Sequence, residues 1–198
     1  KIKFVGNIMI DSLISQLPKA KLRAKKLLNS FEIKEKDYIL ITLHRPSNVD
    51  NKLKLEKILN QINSVGKKCK VIFPLHPRTK KTLNELENKF SNICFIDPLS
   101  YIDFLSLEFY SKLVITDSGG IQEETTFLNI PCATLRENTE RPITIDEGTN
   151  FLIKNVDFIE TLILDLLKIK EICQRKPPKF WDGKTAKRVL QEIISKKL

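Results

Sequence analysis

Both histidines of the chain and four of its seven arginines fall just after short apolar runs. His44-Arg45 follows ITL, His76-Pro77-Arg78 follows FPL, and Arg136 follows ATL, with Arg141 five residues on. A fourth run, VIT, leads into Asp117-Ser118-Gly119-Gly120-Ile121-Gln122-Glu123-Glu124. These residue types suit anions. Guanidinium forks match phosphate and carboxylate oxygens, and backbone N–H groups exposed by paired glycines cradle a phosphate at the positive end of a helix. The Asp117–Glu124 segment is neither a Walker loop nor a GxGxxG fingerprint, and it reads in two ways. Either Ser118, Gly119 and Gly120 bind a phosphate, or Asp117 or Ser118 simply caps a helix whose first turn favours Glu123 and Glu124. Glu124, about one turn in, is placed to accept bonds from a ribose diol. His44 stays open between a general acid, a phosphate ligand and a solvated cap, while Pro46 holds Arg45 extended. His76, between Leu75 and Pro77, reads as a structural hydrogen-bonding histidine. Arg136 and Arg141 with a glutamate between them suggest a rigid salt-bridged loop near an anion, or else an exposed ion pair of little energetic worth.

The elements that must position these groups alternate regularly. Near-continuous apolar runs at Tyr38–Leu43, Lys70–Leu75, Ile93–Ile96, Lys112–Thr116 and Pro131–Leu135 predict strands buried on both faces. Amphipathic helical spacing covers Lys52–Val65, Thr79–Phe90 and Tyr101–Tyr110, the last through Ile102, Leu105 and Phe109. Two further helices are expected at Val156–Ile172 and Lys184–Lys197, and a connector over Asn7–Ser15 precedes a helix over Pro18–Ser30. The β-α alternation argues for an α/β fold, a Rossmann-like parallel sheet flanked by helices. Such a sheet binds its ligand beyond the carboxyl ends of its strands, where these polar residues fall.

At 198 residues, 41% hydrophobic and 29% charged, the chain suits one α/β domain and excludes a disordered, fibrous or disulfide-stapled protein. No apolar run approaches the roughly 20 residues that span a bilayer, because Asp157, Glu160 and Asp165 interrupt the longest candidate. The net charge of +10 raises nucleic acid or another polyanion as a partner, but lysine supplies most of it. With one Trp, three Tyr and no aromatic-basic motif, a nucleic-acid module has little beyond net charge to support it. Cys69, Cys94, Cys132 and Cys173 lie in apolar stretches without CxxC or Cys/His spacing, which predicts no metal site and buried reduced thiols in a cytoplasmic protein. The chain opens at Lys1 without an initiator Met, which suggests a start inside a larger protein.

Taken together, TLHRPSN at 42–48, FPLHPRT at 73–79, ITDSGGIQEET at 115–125, LRENTERP at 135–142 and GTN at 148–150 resemble the non-hydrolysing UDP-N-acetylglucosamine 2-epimerases in order and spacing. FVGNIMID near the start and WDGKTAKRV near the end resemble that family's inter-domain connector and terminal helix. The resemblance implies the C-terminal half of a GT-B two-domain fold. Residues 1–198 would form one UDP-binding domain, with a connector over 1–17 and a terminal helix over 183–198, and the N-terminal catalytic domain would be absent from the chain. It implies interconversion of UDP-GlcNAc and UDP-ManNAc by elimination and re-addition of UDP through 2-acetamidoglucal, with no metal or nicotinamide. By the same resemblance Ser118, Gly119 and Gly120 bind the UDP phosphates, Glu124 holds the ribose, and His44 contacts the diphosphate or assists the leaving group. Arg141 lies by the sugar or phosphates, and Arg136 supports its loop. Arg45 and His76 contribute to a regulatory sugar-nucleotide site. The segment after His44 reads Arg45-Pro46-Ser47-Asn48 where better-known members carry a second charged residue. The family implies a UDP-sugar substrate, no membrane or nucleic-acid partner, and a homodimer of the full-length protein. A hydrolysing epimerase or a GT-B glycosyltransferase would use the same UDP-binding half.

Overall fold

Apolar runs with no polar face can be satisfied only between two layers, and the chain uses them as the strands of one sheet covered on both sides. A computed structural model describes residues 2–83, 86–169 and 175–195. In chain order the elements are α1 (Ile8–Ser30), β1 (Tyr38–Thr42), α2 (Pro46–Val49), α3 (Lys52–Gly66), β2 (Lys70–Pro74), α4 (Pro77–Leu83), β3 (Ile93–Ile96) and α5 (Tyr101–Tyr110). There follow β4 (Leu113–Thr116), α6 (Gly119–Leu128), β5 (Cys132–Thr134), α7 (Ile143–Asp146), β6 (Asn150–Leu152), α8 (Ile159–Leu166) and α9 (Thr185–Ile194). The six strands lie in the order β3-β2-β1-β4-β5-β6, and every neighbouring pair is parallel. This is a Rossmann-like, doubly wound α/β sheet.

Alternate residues of each strand feed opposite cores. Ile39, Ile41, Val71, Phe73 and Ile115 pack with Leu55, Ile58, Leu59 and Ile62 of α3 and Ile159 and Ile163 of α8. Tyr38, Leu40, Ile72 and Val114 face the other way, against Leu28 of α1 and Leu107 of α5. Strand order reverses between β1 and β4, which is where open α/β sheets form a crevice. Their register runs from Ile39↔Leu113 to Thr42↔Thr116, so the loops beginning at Leu43 and Asp117 leave the sheet side by side.

Several elements depart from the sequence expectation. α1 runs unbroken through Pro18 instead of starting there. Pro18 is exposed, and Leu13 and Ala20 pack against Leu105 of α5 and hold the helix together across the hydrogen bond that Pro18 cannot donate. The helix expected over 79–90 is the shorter α4 followed by a single 3-10 turn at Glu87–Lys89. The helix expected from Val156 begins as a 3-10 turn, continues as α8, and the rest of it after 169 lies outside the described residues, as do Cys173 and the last residues of the terminal helix. β6 adds a sixth strand to the five expected, pairing Asn150 with Cys132. Cys132 is buried, but Cys69 and Cys94 are only half-buried, a correction to the expectation that all the thiols are interior. Burial pushes the Cys132 thiol up to about 12, so it is inert.

Gly148 is required by close packing. A Cβ there would collide with the Thr144 carbonyl oxygen and the Thr126 side chain. Gly148→Ala is expected to cost about 2 kcal/mol and lower the melting midpoint by roughly 4–8 °C in a thermal unfolding experiment.

Candidate functional site

At the crevice between β1 and β4 the central side chain is Asp117, which is fully buried. Its Oδ1 accepts from the His44 backbone N–H at 3.1 Å. Its Oδ2 accepts from the Arg45 backbone N–H at 2.9 Å and from Asn48 Nδ2 at 3.1 Å. The His44 ring presents Nδ1 to Oδ1 at 3.3 Å. That contact favours the Nδ1–H tautomer and turns Nε2 to the opposite side of the ring. Asp117 therefore is not the helix cap that the sequence allowed. It clamps the β1 loop onto the β4 loop, and Asn48 extends the clamp by donating also to the Leu135 carbonyl after β5 at 3.0 Å.

α6 begins immediately beside this clamp. Ser118 is its N-cap residue, yet no side chain caps the helix; instead the Ser118 N–H donates to Thr116 Oγ1 at 3.0 Å. Uncapped first-turn N–H groups are those an anion would satisfy. A Cβ on Gly119 would lie 3.1 Å from Glu140 Oε1, so a carboxylate already rests near this end. A Cβ on Gly120 would meet only Ser118 Oγ, at 3.8 Å. The fold itself leaves open space at Gly120.

The arginines form a frame around the helix end. Arg45 Nε donates to the Asp117 carbonyl at 2.9 Å, and Arg45 Nη2 reaches Glu140 Oε1 at 3.3 Å. Arg136 Nη1 binds Glu140 Oε2 at 2.6 Å. Arg141 Nε binds Glu123 Oε1 at 2.9 Å. A backbone hydrogen bond and then the Arg136 and Arg45 guanidiniums hold the Glu140 carboxyl below its ordinary range. Burial raises Glu123 against the pull of Arg141. Thus the loop carrying Arg136 and Arg141 is salt-bridged, and the glutamate that bridges it is Glu140. A crevice of about 300 Å³ lies on the outer side of Arg45 and Arg136, also lined by Lys54 and Lys154, and it does not include Ser118, Gly119 or Gly120.

His76 lies next to His44, their ring centres 5.4 Å apart. Its Nδ1 accepts the Arg78 N–H at 3.2 Å, so it caps the start of α4, the structural role its sequence suggested. Arg78 is held by both oxygens of Asp50 at 2.8 and 2.9 Å. Glu124 is further from the helix start and 3% exposed, and Tyr101 of α5 donates its hydroxyl to Oε1 at 3.0 Å. Sequence reasoning missed Asp117 as a clamp, Tyr101, and the Gln122–Asn150–Thr144 network under α6, in which Asn150 Nδ2 donates to Gln122 Oε1 at 3.2 Å and to Thr144 Oγ1 at 3.1 Å. The position of Asp117 directly after a strand was the available signal. Among the described residues no group of three or more His, Cys, Asp or Glu is arranged to hold a metal ion, and no helix is long and apolar enough to cross a membrane.

Comparison with known proteins gives this geometry a family. The family model described as UDP-N-acetylglucosamine 2-epimerase matches residues 1–194. The chain is similar to a UDP-N-acetylglucosamine 2-epimerase of Methanococcus maripaludis, 41% identical over all of this chain and 56% of that protein. It is similar to one of Methanocaldococcus jannaschii, 40% identical over 96% of this chain and 54% of that protein. A crystal structure of the M. jannaschii UDP-GlcNAc 2-epimerase in complex with UDP-GlcNAc and UDP superposes with a TM-score of 0.85 at 37% identity, over 98% of this chain and 55% of that one. The chain spans about half the length of the curated relatives it matches. It belongs to the UDP-N-acetylglucosamine 2-epimerase family.

Proposed function

We propose that this chain is the UDP-binding half of a non-hydrolysing UDP-N-acetylglucosamine 2-epimerase, resembling the C-terminal domain of a GT-B enzyme. The observation that carries the reading is the uncapped start of α6, with open space at Gly120, set against the His44–Asp117 pair at the sheet's switch point. The complex of a similar protein with UDP-GlcNAc and UDP supports it.

In that reading the first-turn N–H groups at Gly119 and Gly120 and the Ser118 hydroxyl take the diphosphate, and Glu124 takes the ribose. Cleavage of the anomeric C–O bond leaves its electron pair on a β-phosphate oxygen, so donors preorganised at that oxygen lower the barrier. His44, oriented through Nδ1 by Asp117, offers Nε2 to the departing oxygen. Arg141 flanks the phosphates while Glu123 fixes its direction. Arg136 holds Glu140 and through it the loop. Arg45 and His76 are engaged in bracing this half, and their use in a regulatory sugar-nucleotide site requires groups from the rest of the protein. The carboxylates that remove and return the C2 proton belong to the other half. The reading carries with it a cytoplasmic enzyme, a homodimer that uses neither metal nor nicotinamide.

Gly120→Ala is the sharpest test of the phosphate site. A helical Ala in open space leaves the melting midpoint unchanged or slightly raised, while calorimetric affinity for UDP falls about 10-fold or more by obstruction of the anion. Unchanged UDP affinity would sink the assignment. In the intact protein His44→Ala is expected to slow interconversion of UDP-GlcNAc and UDP-ManNAc by about 10²-fold, followed by NMR. The same spectra distinguish the alternatives, since a hydrolysing epimerase releases free sugar and a glycosyltransferase yields a transferred sugar.

A further inference from the structure

Glu108 stands behind the candidate site, in the core. It lies on α5, is fully buried, and neither of its carboxyl oxygens accepts a hydrogen bond from any N–H or O–H of the described residues. A buried carboxylate with no donor is among the most unfavourable arrangements a fold can hold. Its polar neighbour is the carboxyl of Glu124 on α6, within hydrogen-bonding contact. Glu124 Oε2 also lacks an N–H or O–H donor, whereas Oε1 accepts from the Tyr101 hydroxyl at 3.0 Å. Two carboxyl groups in such contact can bond only if one of them keeps its proton, because an ionised carboxylate is an acceptor alone.

The remaining titratable groups around the pair do not replace that proton. Tyr101 on α5 is held neutral by burial and by Glu124. The Cys132 thiol on β5 is neutral and is engaged with the hydroxyls of Thr125 and Thr134. Glu123, next to Glu124 on α6, adds further negative charge, and its partner is Arg141.

We propose that Glu108 is a positioning residue: as a neutral acid it donates its O–H to Glu124 Oε2 and fixes the Glu124 carboxylate as the acceptor for a nucleoside ribose. This rests on the reading of Glu124 as the ribose-binding residue. Glu108 grips Glu124 from the core and Tyr101 from the exposed rim. Each carboxylate oxygen has two lone-pair directions, so Oε1 can share or exchange the Tyr101 hydroxyl for a ribose hydroxyl while Oε2 stays on the Glu108 proton. Without the Glu108 proton, Glu124 would either face a second buried charge or lose its core-side donor, and in both cases the acceptor geometry goes.

Burial first, and the Glu124 charge second, push the Glu108 carboxyl well above the usual carboxylate range. Burial raises Glu124 too, against the opposing bonds from Glu108 and Tyr101. The two titrate as a pair. Over the pH range in which unfolded glutamates have lost both protons, the folded pair keeps one. The native state therefore binds more protons than the unfolded state, and stability from this pair falls as pH rises above about 4.3, until the shared proton is lost.

The test uses the intact protein with UDP and 2′,3′-dideoxy-UDP as probes, and the variants Glu108→Gln, which keeps an N–H donor, and Glu108→Leu, which keeps none. The expected result is that wild type binds UDP about 10-fold or more tightly than the dideoxy analogue, Glu108→Gln retains that ratio within about 2-fold, and Glu108→Leu abolishes it without weakening the analogue. Between pH 5 and pH 8 the melting midpoint of wild type falls relative to Glu108→Gln, by about 3–5 °C per pH unit. Carbon-13 spectra of glutamate side chains show one carboxyl of the pair still protonated at pH 7. The positioning role is overturned if Glu108→Leu preserves the UDP preference, or, should that variant not fold, if both carboxyls are ionised at pH 7 and the melting difference is flat. A wild type that fails to distinguish UDP from the dideoxy analogue sinks the ribose assignment instead, and the carbon-13 spectra still decide the proton.

Discussion

A buried carboxylate must collect donors, and the donors that Asp117 collects come from a different strand. Two backbone N–H groups, the Asn48 amide and the His44 ring converge on it from the loop after β1. Each hydrogen bond to a charged group is worth about 1.5–3 kcal/mol net, and an unpartnered buried charge costs several kcal/mol. The loops therefore have one low-energy arrangement. The imidazole, the Arg45 guanidinium and the start of α6 take their places from that arrangement, and Asn48 relays it to the loop after β5.

The second constraint is how positive charge is held around the start of α6. Arg45 and Arg136 share Glu140, and Arg141 is held by Glu123. These pairs are partly exposed, so they contribute little stability themselves. Their value is directional: they stop long side chains from wandering and set guanidiniums around the helix end. The +10 of the whole chain is mostly lysine, and the paired lysines, such as Lys57 with Asp157 and Lys80 with Asp97, are held away from this helix end.

The fold was largely legible because β1, β2 and β4 are buried on both faces and so write continuous apolar runs. β6 was not legible, since it has three residues and opens with Asn150, a polar side chain whose burial depends on Thr134, Thr144 and Gln122, brought from elsewhere in the chain. Pro18 looked like a boundary because a local rule cannot see that α5 supports the helix from the side. The clustering of His44, Arg45, Ser118, Gly119 and Gly120 was legible from strand ends alone. Glu108 was not: its helix reads as amphipathic through Ile102, Leu105 and Phe109, whereas the structure buries Leu105 through Glu108 between α1 and α6. Periodicity shows that one face is buried, but does not show a helix flanked on two sides.

The pairing of β1 with β4 has a kinetic side. His44 and Asp117 are 73 residues apart in sequence, and β2 and β3 with their connecting helices lie in the chain between the two strands. Closing so long a loop costs entropy that no local contact returns, and parallel pairings of this kind form slowly. The crevice is absent from any state in which β1 and β4 are unpaired. Any ligand that needs both loops engages only chains that have finished the topology, and it draws the equilibrium toward them by mass action.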